Sequence, residues 1–199
     1  DPVRYITNHS TGKMGYAIAK IASRRGAEVT LVSGPTAEEE PAFVNVVNVC
    51  SAKEMFEAVK ERAQEQDIII KAAAVADYRP KHIRGSKMKK TEDGSDLTLE
   101  LERTDDILAY LGAHKKQGQF LCGFAMETED LIANAKRKLE KKRLDMIAAN
   151  SLRVEGAGFG GNTNVVTVIT KEKEVSLGKM TKEETAAELL TMIAEARKV

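Results

Sequence analysis

Asn8, Asp77, Lys87, Lys138 and Lys142 are the side chains whose setting suggests chemistry. They are an amide, a carboxylate and lysines, and no Ser-His-Asp or Cys-His spacing accompanies them. Such a set suits electrostatic catalysis of phosphoryl or nucleotidyl transfer better than nucleophilic catalysis. Asp77 closes the small-residue stretch 72–76 (AAAVA), where a flat base or a ribose could lie against the backbone. Its carboxylate could hold ribose hydroxyls or a divalent ion that carries phosphates; a loop aspartate bonding its own backbone fits equally well. The run KMKK at 87–90 lies in a polar stretch and reads either as a solvated charge run or as a flap, about residues 78–96, whose lysines neutralise a polyphosphate. Lys138 and Lys142 are four residues apart, on one helix face. They are either a basic last turn that suits the helix dipole or two cations reaching one ligand.

These residues need a frame. The stretch Asn8-His9-Ser10-Thr11-Gly12 runs into an amphipathic pattern of Met14, Ala17, Ile18, Ile21 and Ala22, which is helical spacing. Ser10 is the expected N-cap, and Ser10, Thr11 and Gly12 form a candidate anion cradle at the helix start. Gly15 is expected to let the helix pack closely on a sheet. A capped helix that binds no ligand fits the pattern as well. The P-loop and the dinucleotide fingerprint are both absent, since only Gly12-x-x-Gly15 is present. Tyr16-x-x-x-Lys20 matches a dehydrogenase pair but stands in the wrong place in the chain.

Strands are expected at 28–33, 43–49, 67–76, around 97–101, and at 120–125, 145–149, 165–170 and 175–177. The run 67–76 (DIIIKAAAVA) reads as a central strand buried on both faces. Helices are expected after Ser51, from Thr104-Asp105-Asp106, from Thr128 with Glu129 and Asp130 in its first turn, and after Thr181, the first and last through capping boxes. A Gly-rich loop is expected at 156–161. This alternation predicts a doubly wound α/β fold: a Rossmann-like, mostly parallel sheet with helices on both faces, a basic flap and a C-terminal antiparallel hairpin. Ligands of such folds sit beyond the carboxyl ends of the strands. That nominates Asp77, the loop near Thr104, residues 124–127 and Asn150.

At 199 residues the chain reads as a single domain, residues 1–199. Its 31 basic and 30 acidic residues give no global field for nucleic acid, and no apolar run is long enough for a membrane span. Cys50 and Cys122 are expected as buried thiols of a cytoplasmic protein. The chain starts with neither Met nor a leading strand, and so reads as a fragment.

Five ordered motifs closely resemble the phosphopantothenoylcysteine synthetase family: DPVRYITNHSTGKMG at 1–15, AAVADY at 73–78, KMKK at 87–90, GFAMET at 123–128 and LDMIAAN at 144–150. The resemblance implies a ligase of coenzyme A biosynthesis. It would join 4'-phosphopantothenate to L-cysteine through an acyl-cytidylate, consuming CTP with Mg²⁺, as a homodimer. It further implies that Asn8 stabilises the acyl intermediate and orients cysteine, that Lys87 balances charge in the first half-reaction, and that Arg4 orders the acyl site. Asp77, Asp105, Asp106, Ile107, Leu108, Phe124, Lys138 and Lys142 would form the nucleotide site, with Ala72 and Ala73 offering backbone groups to the base and Asp77 touching the metal. The family's leading strand and the flavin-dependent decarboxylase often fused upstream are not in this sequence. Thr104-Asp105-Asp106-Ile107 departs from the family's proline-containing loop. The alternatives are an NAD(P)-dependent oxidoreductase and a nucleotide-binding module without catalysis.

Overall fold

The structure is a computed structural model; it describes residues 1–90, 96–127, 130–151 and 160–197. Helix α1 (Lys13–Arg24) leads to β1 (Val29–Ser33) and β2 (Val44–Asn48). Helix α2 (Ala52–Arg62) and a 3₁₀ turn (Ala63–Glu65) follow, then β3 (Ile68–Lys71). Strands β4 (Tyr78–Pro80) and β5 (Leu101–Arg103) flank the flap. Then come α3 (Ile107–Ala113), β6 (Phe120–Glu127), α4 (Leu131–Lys141) and β7 (Met146–Ser151). The chain ends with β8 (Thr163–Asn164), β9 (Val166–Ile169), β10 (Glu174–Ser176), β11 (Met180–Thr181) and α5 (Lys182–Ala196).

The main sheet has the order β10-β9-β7-β6-β3. Strands β3, β6 and β7 are parallel, and the β9–β10 hairpin extends the sheet antiparallel to β7. Alternation along β6 and β7 divides the core. Leu121, Ala125, Ile147 and Ala149 face α2, α3 and α4, whereas Phe120, Cys122, Met146 and Ala148 face α1 and α5. Helices therefore cover both faces, as expected of a doubly wound fold. Strands β1 and β2 form a separate parallel pair.

The capping boxes hold in part. Thr181 and Glu184 cap α5 reciprocally. Ser51 accepts from the Glu54 N–H, but Glu54 returns to the N–H of Cys50 rather than that of Ser51. The β9–β10 hairpin forms as expected.

Other expectations are corrected. The run 67–76 is strand only over Ile68–Lys71; among the described residues it pairs with β6 alone, and it is half-buried. The strand around 97–101 shrinks to Leu101–Arg103, because Leu97, Leu99 and Leu101 are all exposed and find no core. Asn150 lies inside β7 rather than closing it. Cys122 is buried but Cys50, just past β2, is exposed. Gly15 has open space where a Cβ would stand, so it does not seat α1 on the sheet. Thr128, Glu129 and most of the Gly-rich loop lie outside the described residues, and Asp130 is the N-cap of α4 without a side-chain cap.

Candidate active site

Residues 1–12 form one wall. Helix α1 begins at Lys13 with Gly12 as its N-cap; Ser10 is exposed and caps nothing. The backbone sets that choice. Gly12 has φ 79°, and a Cβ there would stand 2.8 Å from Thr36 Oγ1. That hydroxyl donates to the Thr11 carbonyl at 2.8 Å and fixes the loop. Upstream, Asn8 Nδ2 donates to the Val75 carbonyl at 3.3 Å, which ties it to the small-residue stretch after β3. Arg4 pairs with Asp1, and its Nη2 donates to the Met88 carbonyl at 2.7 Å. The Met88 N–H donates to Asp1 Oδ2 at 3.2 Å. These contacts bring Asn8, Arg4 and the flap segment with Lys87 to one wall. Lys87 is exposed, and among the described residues no group pairs with its ammonium.

The flap is zipped at its base by the β4–β5 ladder and the pairs Arg79–Glu102 and Lys81–Glu100. Residues 91–95 lie outside the described residues.

The opposite wall is the start of α3 and the end of α4. Thr104 donates through its N–H to the Asp77 carbonyl and through Oγ1 to the Ala76 carbonyl, at 3.0 and 2.6 Å. Asp106 caps α3 by accepting from the Ala109 N–H at 3.0 Å, and Lys142 Nζ lies 2.8 Å from its Oδ2. Burial pushes the Asp106 carboxyl up. The Lys142 hydrogen bond, the Ala109 N–H and the charges of Lys142 and Lys71 outweigh it and hold the group below its ordinary range. Lys138 Nζ donates to the Phe124 carbonyl at 3.2 Å. Two glycines permit this packing. At Gly112 a Cβ would fall 1.9 Å from the Lys142 carbonyl oxygen, and at Gly123 one would fall 2.8 Å from Leu108 Cδ2.

Asp77 and Asp105 are exposed at the mouth. Ile107 and Leu108 are both buried in the core, which leaves their backbone as the part a ligand could reach. Ala72 and Ala73 pack on opposite faces of the sheet. The Tyr16–Lys20 pair dissolves: Tyr16 is buried with its hydroxyl 3.0 Å from Ser33 Oγ, and Lys20 pairs with Glu183.

Two features were missed. Lys71 ends β3, where the charges of Lys138, Lys142, Asp106 and Asp77 act on it, and its only sequence signal is a lysine closing an isoleucine run. On the α1–α5 side, Asn150 donates to Asn164, Lys182 donates to Asn164 and Thr163, and Lys13 donates to Asn162. These partners are far apart in the sequence, so no spacing reveals them.

The described residues hold no group of three or more His, Cys, Asp or Glu side chains placed for a metal ion. Asp77 offers one exposed carboxylate for such a role. That fits a magnesium ion held mainly by substrate phosphates, which needs one protein carboxylate at most. No helix among the described residues is long and apolar enough to cross a membrane.

Fold and geometry together define a doubly wound α/β fold with a charged candidate site at the carboxyl ends of its parallel strands. The chain belongs to the family described as DNA/pantothenate metabolism flavoprotein C-terminal domain, whose model matches residues 1–196. It is 48% identical over 193 residues to the Coenzyme A biosynthesis bifunctional protein CoaBC of Vibrio vulnificus, covering 97% of this chain and 48% of that protein. It is also 48% identical over 200 residues to CoaBC of Bacillus subtilis, covering all of this chain and 48% of that protein. The chain thus spans about half the length of the curated relatives it matches. A crystal structure of the C-terminal domain of CoaBC aligns with a TM-score of 0.81 at 45% identity, covering 97% of this chain and 86% of that one. The family membership agrees with the resemblance carried by the five motifs.

Proposed function

We propose that this chain is the ligase that joins 4'-phosphopantothenate to L-cysteine with CTP, in coenzyme A biosynthesis. The observation that carries the reading is the meeting of three motifs: Asn8 on the 72–77 stretch, and Arg4 on the flap beside Lys87.

In the first half-reaction the phosphopantothenate carboxylate attacks the α-phosphorus of CTP. An oxygen–phosphorus bond forms to give an acyl-cytidylate, and pyrophosphate leaves. Lys87, an ammonium near the reacting phosphate, offsets negative charge as it builds. Ser10, Thr11 and Gly12 cradle anionic oxygens. Asp77, the N-terminal backbone of α3, Phe124, Lys138 and Lys142 hold the nucleotide. Asp77 would hold Mg²⁺, which would supply charge neutralisation on the triphosphate. In the second half-reaction the cysteine amine attacks the acyl carbon, CMP leaves and the amine loses a proton. Asn8 donates hydrogen bonds to the acyl intermediate without changing its own protonation state. Arg4 orders the wall that carries Asn8. The working unit in this reading is a cytoplasmic homodimer, fused to or associated with a flavin-dependent decarboxylase that consumes the product.

The test is incubation of the protein with CTP, Mg²⁺, 4'-phosphopantothenate and cysteine, with pyrophosphate and CMP measured. Equal yields of both, dependent on both acid and cysteine, are expected. No pyrophosphate release in the presence of all four overturns the ligase. The oxidoreductase reading is disfavoured by the separate partners of Tyr16 and Lys20. CTP binding without turnover would instead mark a non-catalytic module.

A further inference from the structure

Lys71 is the one lysine of the site that faces inward from the sheet. Its Cα pairs with that of Gly123, the position on which Leu108 of α3 rests. Alternation puts it on the same face as Ile69 and Ala73, which pack towards α2, α3 and α4. Among the described residues, no carboxylate lies within ion-pair distance of its ammonium and it donates no side-chain hydrogen bond. Its neighbours are already engaged: Lys142 with Asp106, and Lys138 with the Phe124 carbonyl. A half-buried lysine without a counter-ion among the described residues is costly, and such a group beside a cleft points to a ligand that supplies the missing charge.

We propose that Lys71 binds a phosphate group of the nucleotide, its ammonium completing with Lys138 and Lys142 an anion site at the carboxyl end of β3. The proposal rests on the nucleotide-dependent reading above and adds a residue to it. The charges that act most on Lys71 among the described residues belong to this site: Lys138 on α4, Lys142 at its C-cap, Asp106 at the start of α3, and Asp77 beyond β3. Burial first, then the two lysines, lower the ammonium to about 8, against the opposing pull of Asp106 and Asp77. A bound phosphate reverses that balance. It stabilises the charged form, so nucleotide binding draws a proton onto Lys71 when the pH is near or above that value.

The experiment is titration calorimetry with CTP and Mg²⁺ in buffers of different ionisation enthalpy between pH 8 and 9.5, where the nucleotide phosphates are fully ionised. The wild-type protein takes up a fraction of a proton per CTP in this window. Lys71→Met removes the uptake and weakens CTP and inorganic tripolyphosphate by roughly tenfold, as expected for loss of one charge-assisted hydrogen bond. Cytidine binding is unchanged. Lys71→Arg keeps tripolyphosphate affinity but loses the uptake, because guanidinium does not titrate here. Thermal melting of both variants verifies folding. Wild-type affinity and unchanged uptake in Lys71→Met overturn the proposal, as does an effect confined to cytidine. Failure of the wild-type protein to bind CTP overturns the nucleotide reading itself, a separate result.

Discussion

Asn8 and Lys87 divide the proposed reaction between them, and substitution should separate the two halves. Asn8→Asp replaces an amide donor by a like charge at the acyl centre. It should still release pyrophosphate from CTP and phosphopantothenate but form the amide at least about 100-fold more slowly, the cost of one lost donor to a developing charge. The acyl-cytidylate should accumulate, visible by mass spectrometry; loss of pyrophosphate release would move Asn8 to the first step. Lys87→Gln should do the opposite and block pyrophosphate release, while normal intermediate formation would remove Lys87 from that step. Lys71 carries a stability prediction as well. Its folded-state value of about 8 lies below the ordinary lysine value of 10.5, so between these the unfolded chain binds more protons. Stability therefore rises with pH across that window. Below it, Lys71→Met should be more stable than wild type by on the order of 1–3 kcal/mol, and the gain should vanish towards pH 10.5. Melting temperatures of both proteins from pH 7 to 10.5 give the comparison; equal curves would mean that the unpartnered ammonium costs nothing.

At the scale of elements, α3 and α4 are set by two contacts that leave no room for a methyl group. The Gly112 site abuts the Lys142 carbonyl, which is backbone and cannot swing aside. Gly112→Ala should force α3 away from the end of α4 and destabilise the protein by more than about 2 kcal/mol. It should also loosen the Lys142–Asp106 pair and weaken CTP. Denaturant unfolding and CTP titration test both effects, and a stable variant with ordinary affinity would show that α3 has slack. These contacts also explain what the sequence could show. Helix periodicity, the Thr181–Glu184 box and the alternation of β6 and β7 are local properties, so the doubly wound order was legible. Ser10 failed as a cap because Thr36, over twenty residues away, fixes the backbone at Gly12. The long apolar run broke after Lys71 because carbonyls beyond it accept from the side chains of Asn8 and Thr104 rather than from a ladder. The family was readable through the resemblance of its motifs. Lys71 and the Asn150–Asn164–Lys182 cluster were not, since only folding brings their partners together.

For the whole molecule, the flap and the N-terminal segment raise a packing question. Ile83, Leu97, Leu99, Leu101 and Tyr78 are all exposed on or beside the flap, and Val3, Tyr5 and Ile6 are exposed on the segment joined to it through Arg4 and Met88. Apolar residues gathered on one feature in this way mark a surface that a partner covers. The homodimer proposed above supplies that partner, and would cover the flap beside the site whose Lys87 it carries. Sedimentation velocity should then find a dimer at micromolar concentration. Ile83→Lys with Leu99→Lys should shift it to monomer and lower pyrophosphate release by at least about tenfold, since a flap without its support no longer holds Lys87 near the phosphates. The melting temperature should change little, because neither side chain belongs to either core cluster. A monomeric wild type with full ligase activity would separate the flap from any interface, and a variant that stays dimeric would place the interface elsewhere.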